Sequence, residues 1–131
     1  MKVLLDTHIW LWWITNPDRL GPTSRRAIED AGNAVFFSAA SSWEISIKYA
    51  LGKLSLPTPP LEFVPKRLQR DNISPLAVTH IHALTVSTLP HHHRDPFDRV
   101  LVAQAQAEQC ALCTVDPHIK RYDVSVLDGY T

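Results

Sequence analysis

A chain of 131 residues has room for one domain and is long enough to bury a sizeable core. Hydrophobic residues make up 45% and charged residues 20%, which excludes a disordered chain and a coiled coil. Thirteen Lys and Arg balance thirteen Asp and Glu, so nucleic acid is not held by bulk basicity and any such site is local; zero net charge also favours association.

Asp6 interrupts the first apolar stretch, and Ile9–Ile14 is too short for a signal sequence or a membrane span, so a cytoplasmic protein is expected. Val3–Leu5 reads as a buried strand. Thr7–Ile14 and Ser24–Asp30 read as helices, separated by Asn16-Pro17. Ala34–Phe37 is a second strand. Ser41–Leu51 is a helix with Trp43, Ile47, Ala50 and Leu51 on one face, closed by Gly52. After a proline-rich loop, Leu61–Arg70 reads as helical and Ile73–Val78 as a weak strand containing Pro75. Thr79–Leu89 is helical, and Asp95-Pro96 opens a firm helix over Phe97–Gln109. Ala111–Val115 is a strand, Pro117–Arg121 a helical turn, and Val124–Leu127 a last strand. Strands alternate with helices and no hairpin signal joins two strands. This argues for a single α/β domain over 1–131, with a mostly parallel central sheet flanked by helices.

Ligands of such sheets sit beyond the carboxyl ends of the strands. Asp6 and Asp116 each follow a strand directly. Glu44 and Asp98 fall near the starts of helices that begin at the same edge. Each has an ordinary explanation: Asp6, Asp95 and Asp116 suit helix caps, and Glu44 with Lys48 makes an i,i+4 pair. Caps should scatter around a fold, however, whereas Asp6, Glu44, Asp98 and Asp116 map to one edge. Carboxylates crowded there repel one another unless a cation neutralises them. Hard oxygen ligands suit Mg²⁺ or Mn²⁺, and the chemistry that follows is metal-assisted phosphodiester hydrolysis.

The segments Leu4-Leu5-Asp6-Thr7-His8, Ser42-Trp43-Glu44-Ile45-Ser46-Ile47-Lys48, His93-Arg94-Asp95-Pro96-Phe97-Asp98-Arg99 and Thr114-Val115-Asp116 resemble PIN domains. The likeness is closest to the VapC-type toxins of toxin–antitoxin pairs and runs in order over nearly the whole chain. The resemblance implies a Mg²⁺- or Mn²⁺-dependent endoribonuclease, inhibited by a cognate VapB-like antitoxin and usually homodimeric. It carries the acidic quartet onto Asp6, Glu44, Asp98 and Asp116, with Asp116 the position that varies most among relatives. Asp95 and Thr114 are then expected to support the ligands, and Lys48 and Arg94 to meet RNA phosphates or, for Lys48, to pair with Glu44.

Two competing functions are a non-catalytic interaction module, whose acids only cap helices, and an aspartyl-phosphate phosphotransfer enzyme built on Asp6. The second lacks the acid expected two residues on, where His8 stands. His91, His92 and His93 read as solvated loop residues and Arg99 as a solvated helix residue. Cys110 and Cys113 read as small core residues. Trp10, Trp12 and Trp13 read as core and dimer packing, with base stacking the functional option.

Overall fold

The computed structural model describes residues 1–131. In chain order the elements are β1 (Lys2–Leu5), α1 (Thr7–Thr15), α2 (Pro22–Glu29), β2 (Ala34–Ser38), α3 (Ala39–Ala50), α4 (Pro60–Arg70), β3 (Ser74–Leu76), α5 (His80–Thr85), α6 (Pro96–Glu108), β4 (Ala111–Thr114) and β5 (Val126–Asp128). Single 3₁₀ turns lie at Pro17–Arg19, Val86–Thr88 and Ile119–Arg121. The helix expected over Thr79–Leu89 thus breaks into α5 and a 3₁₀ turn. The turn expected from Pro117 starts later, and the last strand shifts to Val126–Asp128. No helix is long and apolar enough to cross a membrane.

All five strands are parallel, in the order β3-β2-β1-β4-β5. From β1 the chain first builds outward through β2 and β3, then crosses back to place β4 and β5 on the other side. The switch point therefore lies between β1 and β4, and a crevice opens beyond their carboxyl ends.

Alternation along β1 divides the core. Val3 and Leu5 join Ile9, Trp10, Ile28, Phe37, Ile45, Val64 and Leu68 on one face, under α1 to α4. Leu4 joins Leu101, Val102, Ala105, Leu112 and Ile119 on the other, under α6. A strand covered on both faces reads as a continuous apolar run, which is why Val3–Leu5 stands out as one. The strand carrying Pro75 forms the sheet edge, where a missing N–H breaks no interior ladder. Gly52 adopts φ +72 after α3, and the Lys53 N–H returns to the Lys48 carbonyl at 2.9 Å, closing the helix as its sequence indicates.

The N-terminal tryptophans pack within the chain. Trp10 is buried with its ring 4.6 Å from that of Phe37, Trp13 donates to Asp71 at 3.0 Å, and the Arg19 guanidinium lies 4.3 Å over Trp12. Cys110 and Cys113 are buried and free, and burial pushes the Cys113 thiol up to about 12, as befits inert core residues.

Arg99 departs from the sequence reading: it is buried, not solvated. Nη1 donates to the Pro90 carbonyl at 2.9 Å and to the Tyr122 hydroxyl at 3.1 Å, and Nη2 to the Val86 carbonyl at 3.1 Å. The side chain thereby fastens the loop before α6 to the body of the domain. Arg99→Ala strands these acceptors and should cost about 2–4 kcal/mol in urea denaturation. A loss below about 1 kcal/mol would show that water replaces the guanidinium.

Candidate active site

Asp6 stands between β1 and α1 with extended backbone, and its Oδ1 accepts the His8 N–H at 3.3 Å. Its Oδ2 accepts the Thr114 hydroxyl at 2.6 Å. Thr114 is the last residue of β4, and the same hydroxyl oxygen accepts the Asp116 N–H at 3.0 Å. One threonine thus ties together the ends of the two strands that flank the switch point. The Asp6 N–H adds a bond to the Cys113 carbonyl at 3.0 Å.

Asp95 caps α6, accepting the N–H groups of Phe97 at 2.8 Å and of Asp98 at 3.3 Å. With Pro96 as the first helical residue, this cap fixes the start of α6 and aims Asp98 into the crevice. Glu44 arrives from the second turn of α3, one turn later than its sequence position suggests, because α3 begins at Ala39. It is buried and takes the Lys48 ammonium at 3.0 Å. The start of α3 is held over β1 by a buried bond from the Thr7 hydroxyl to Ser41, 2.8 Å.

The charges show how these groups converge. Asp98 is pushed up to about 8 by burial and then by the negative charges of Asp6, Asp95, Glu44 and Asp116. Burial also raises Asp6, against the hydrogen bond from Thr114 and the influence of His8, with Asp116 adding to the rise. Asp116 goes the other way. Its desolvation acts upward, but hydrogen bonds from His93 and from the His118 N–H, together with the electrostatic influence of both rings, bring it below its usual range.

The tightest grouping is not the four acids. It is His93, Asp98 and Asp116, whose ligand atoms all lie within 4.8 Å of one another. His93 Nε2 is 2.8 Å from Asp116 Oδ2 and 3.1 Å from Asp98 Oδ2. The sequence reading missed His93 by treating the three histidines alike. His91, His92, His93 and Arg94 all line an open polar cavity of about 440 Å³, and of the three histidines it is His93 whose ring also reaches the acidic cluster. Beside that cluster, Trp43 and Phe97 meet edge to face with centroids 5.3 Å apart, in an apolar cavity of about 320 Å³. Trp43, placed on the apolar face of its helix by periodicity, is 64% exposed.

The PIN-domain family profile matches residues 3–125. The chain belongs to the PIN-domain family. Ribonuclease VapC22 of Mycobacterium tuberculosis is 30% identical to this PIN domain over 122 residues, covering 92% of this chain and 91% of that protein. Ribonuclease VapC16 of the same organism is 48% identical over 59 residues, an alignment that spans 45% of this chain and 42% of the relative. Among solved structures, VapBC2 from Rickettsia felis bound to a promoter DNA fragment has a TM-score of 0.74 at 17% identity, covering 100% of both chains. FitAcB from Neisseria gonorrhoeae has a TM-score of 0.60 at 20% identity, covering 98% of each. At those identities the structural likeness establishes the fold, and it agrees with the five-stranded parallel sheet described above.

Proposed function

We propose that this PIN domain is a divalent-ion-dependent endoribonuclease, the toxin of a toxin–antitoxin pair, with residues 1–131 working as one nuclease domain. The observation that carries the reading is Asp98: a buried carboxyl pushed up to about 8 by desolvation and four neighbouring acids. Asp6, Asp95 and Asp116 are accounted for as caps and turn formers, each accepting a backbone N–H. Asp98 and Glu44 cap nothing, Glu44 is buried, and the largely enclosed Asp98 is held at a cost in desolvation. An interaction module gains nothing from that expense. A site for a hard cation requires it.

Asp6, Glu44, Asp98 and Asp116 would hold Mg²⁺ or Mn²⁺, and the all-oxygen donors of the quartet suit either ion. When bound, the ion would supply Lewis-acid stabilisation of the phosphodiester oxygens and lower the pKa of a water, so that the hydroxide left after loss of a proton can attack phosphorus. The chain supplies the rest. Thr114 fixes the Asp6 carboxylate, the Asp95 cap sets the direction of Asp98, and Lys48 orients Glu44. Arg94, which lines the open cavity beside the cleft, would meet an RNA phosphate. An aspartyl-phosphate mechanism on Asp6 is disfavoured because His8 stands two residues on, where that chemistry calls for an acid.

The toxin reading draws on the two VapC ribonucleases and on a toxin–antitoxin complex from Klebsiella pneumoniae that shares the fold, with a TM-score of 0.66 at 15% identity. It supplies two protein partners, a VapB-like antitoxin and a second copy of this chain. The α1 tryptophans are spent on internal packing, so these partners would use the apolar residues left in solvent on α3 (Trp43, Ile47) and α5 (Ile81, Leu84). One assay tests the assignment. Purified protein should cleave RNA internally with Mg²⁺ or Mn²⁺, stop in EDTA, and be suppressed by the small antitoxin encoded beside it. Undiminished cleavage in excess EDTA would overturn the mechanism.

A further inference from the structure

His93 reaches the acidic cluster on a loop that is fastened at several points. Its own N–H donates to the Tyr122 hydroxyl at 2.9 Å, the same hydroxyl that receives Arg99 Nη1. Arg99 also holds the Pro90 carbonyl three residues earlier, and Asp95 caps α6 two residues later. The ring is therefore set by the backbone around it. The Asp95 N–H donates to Nδ1 at 3.1 Å. A donor facing Nδ1 requires a lone pair there, so the ring hydrogen of the neutral imidazole sits on Nε2. That hydrogen is donated to Asp116 Oδ2 at 2.8 Å, with Asp98 Oδ2 at 3.1 Å from the same nitrogen.

Asp98 comes from the first turn of α6 and Asp116 from the turn after β4. Nothing else in the structure joins these two side chains directly. We infer that His93 is a positioning residue of the divalent-ion site: a fixed Nε2–H donor that draws Asp98 and Asp116 to within reach of one ion without itself ligating it. In this tautomer Nε2 has no lone pair to offer a metal, and freeing one would put a second hydrogen against the Asp95 N–H. The inference rests on the divalent-ion reading above and adds to it a residue outside the quartet. It also explains why the loop is tied so firmly. A carboxylate pair held ready loses less freedom on taking up a cation, and a partner that fixes a ligand's orientation adds to affinity.

Direct metal titration of the purified protein tests this, with Mn²⁺ followed by the electron-spin signal of the free ion and Mg²⁺ by competition. Two variants separate the two ring nitrogens. His93→Gln puts an amide donor near the Nε2 position, whereas His93→Asn keeps a group near Nδ1 and loses the donor. His93→Asn should weaken Mn²⁺ and Mg²⁺ by the same factor, about 10–100-fold, and His93→Gln should restore most of it. Bound Mn²⁺ should show no nitrogen hyperfine coupling in the wild type. Wild-type affinity in His93→Asn overturns the inference, and so does tighter binding, which would make His93 a competitor of the ion. Nitrogen coupling, with Mn²⁺ lost far more than Mg²⁺, would make it a ligand. A wild type that takes up neither ion overturns the divalent-ion reading and this inference with it. Wild-type uptake with an indifferent His93→Asn overturns the role of His93 alone.

Discussion

Asp6→Asn and Asp98→Asn should each lower RNA cleavage by about 100-fold or more while the protein still folds. The substitutions keep size and shape and remove one negative charge from the cation site. The amide introduced by Asp6→Asn still offers an oxygen to the Thr114 hydroxyl, so the tie between the ends of β1 and β4 survives. Asp98→Asn removes the most crowded charge in the crevice and makes no demand on packing. The loss should therefore appear in turnover and metal uptake, with circular dichroism like that of the parent and no loss of stability. Asp18→Asn is the control. Asp18 is a solvent-exposed partner of Arg25 at 3.3 Å, far from the crevice, and its variant should cleave at the parental rate. Wild-type rates for both crevice variants would mean that the acids serve the fold and not the reaction.

The fold was legible because its signals are local. Strands covered on both faces are short apolar runs, helix starts carry Asp-Pro, and the parallel sheet follows from alternation. That Asp6, Glu44 and Asp116 would lie near enough to act on Asp98 also followed, since a residue that ends a parallel strand and one that starts the next helix share an edge, although the tightest group takes only Asp98 and Asp116 of the four, with His93. What escaped the sequence depends on remote partners. Arg99 can be buried only because three loop carbonyls and Tyr122 surround its guanidinium, and these are set by the path of residues 86–90. His93 differs from His91 and His92 only in where that loop turns. The α3 face is instructive. Periodicity puts Trp43, Ile47, Ala50 and Leu51 on one face without saying what covers it, and α3 buries Ala40, Ser41, Glu44 and Ile45 while leaving Trp43 and Leu51 outside. The helix presents its small and acidic side to the crevice because Ser41 must approach Thr7 and Glu44 must face Asp98. An apolar stripe that remains in solvent next to a polar one that is buried marks a helix placed for the site and for partners.

Without divalent ions, the protein should become less stable as pH rises from about 4 to about 8. Asp98 ionises near 3.8 in the unfolded chain and at about 8 in the folded one. Between those values the folded protein keeps a proton that the unfolded chain has released. The unfolded state then binds fewer protons, so the slope of unfolding free energy against pH is negative. Asp6, also raised, acts in the same direction. Asp116, lowered, acts only toward acid: its contribution is present above its unfolded value and is lost as pH falls through its folded one. The metal-free optimum should therefore lie on the acid side, near pH 4 to 5. The informative quantity is the difference between wild type and Asp98→Asn in urea denaturation with EDTA, which isolates the contribution of Asp98. That difference should be small near pH 4 and grow to a few kcal/mol in favour of the variant by pH 8. Saturating Mn²⁺ should reverse it, because the ion binds the folded, ionised site of the wild type and returns the stability that charge crowding removed. Parallel curves for the two proteins across this range would show that Asp98 ionises in the fold as easily as in water. In that case the crevice is no place of stored charge, and the strongest physical reason for an ion there is gone.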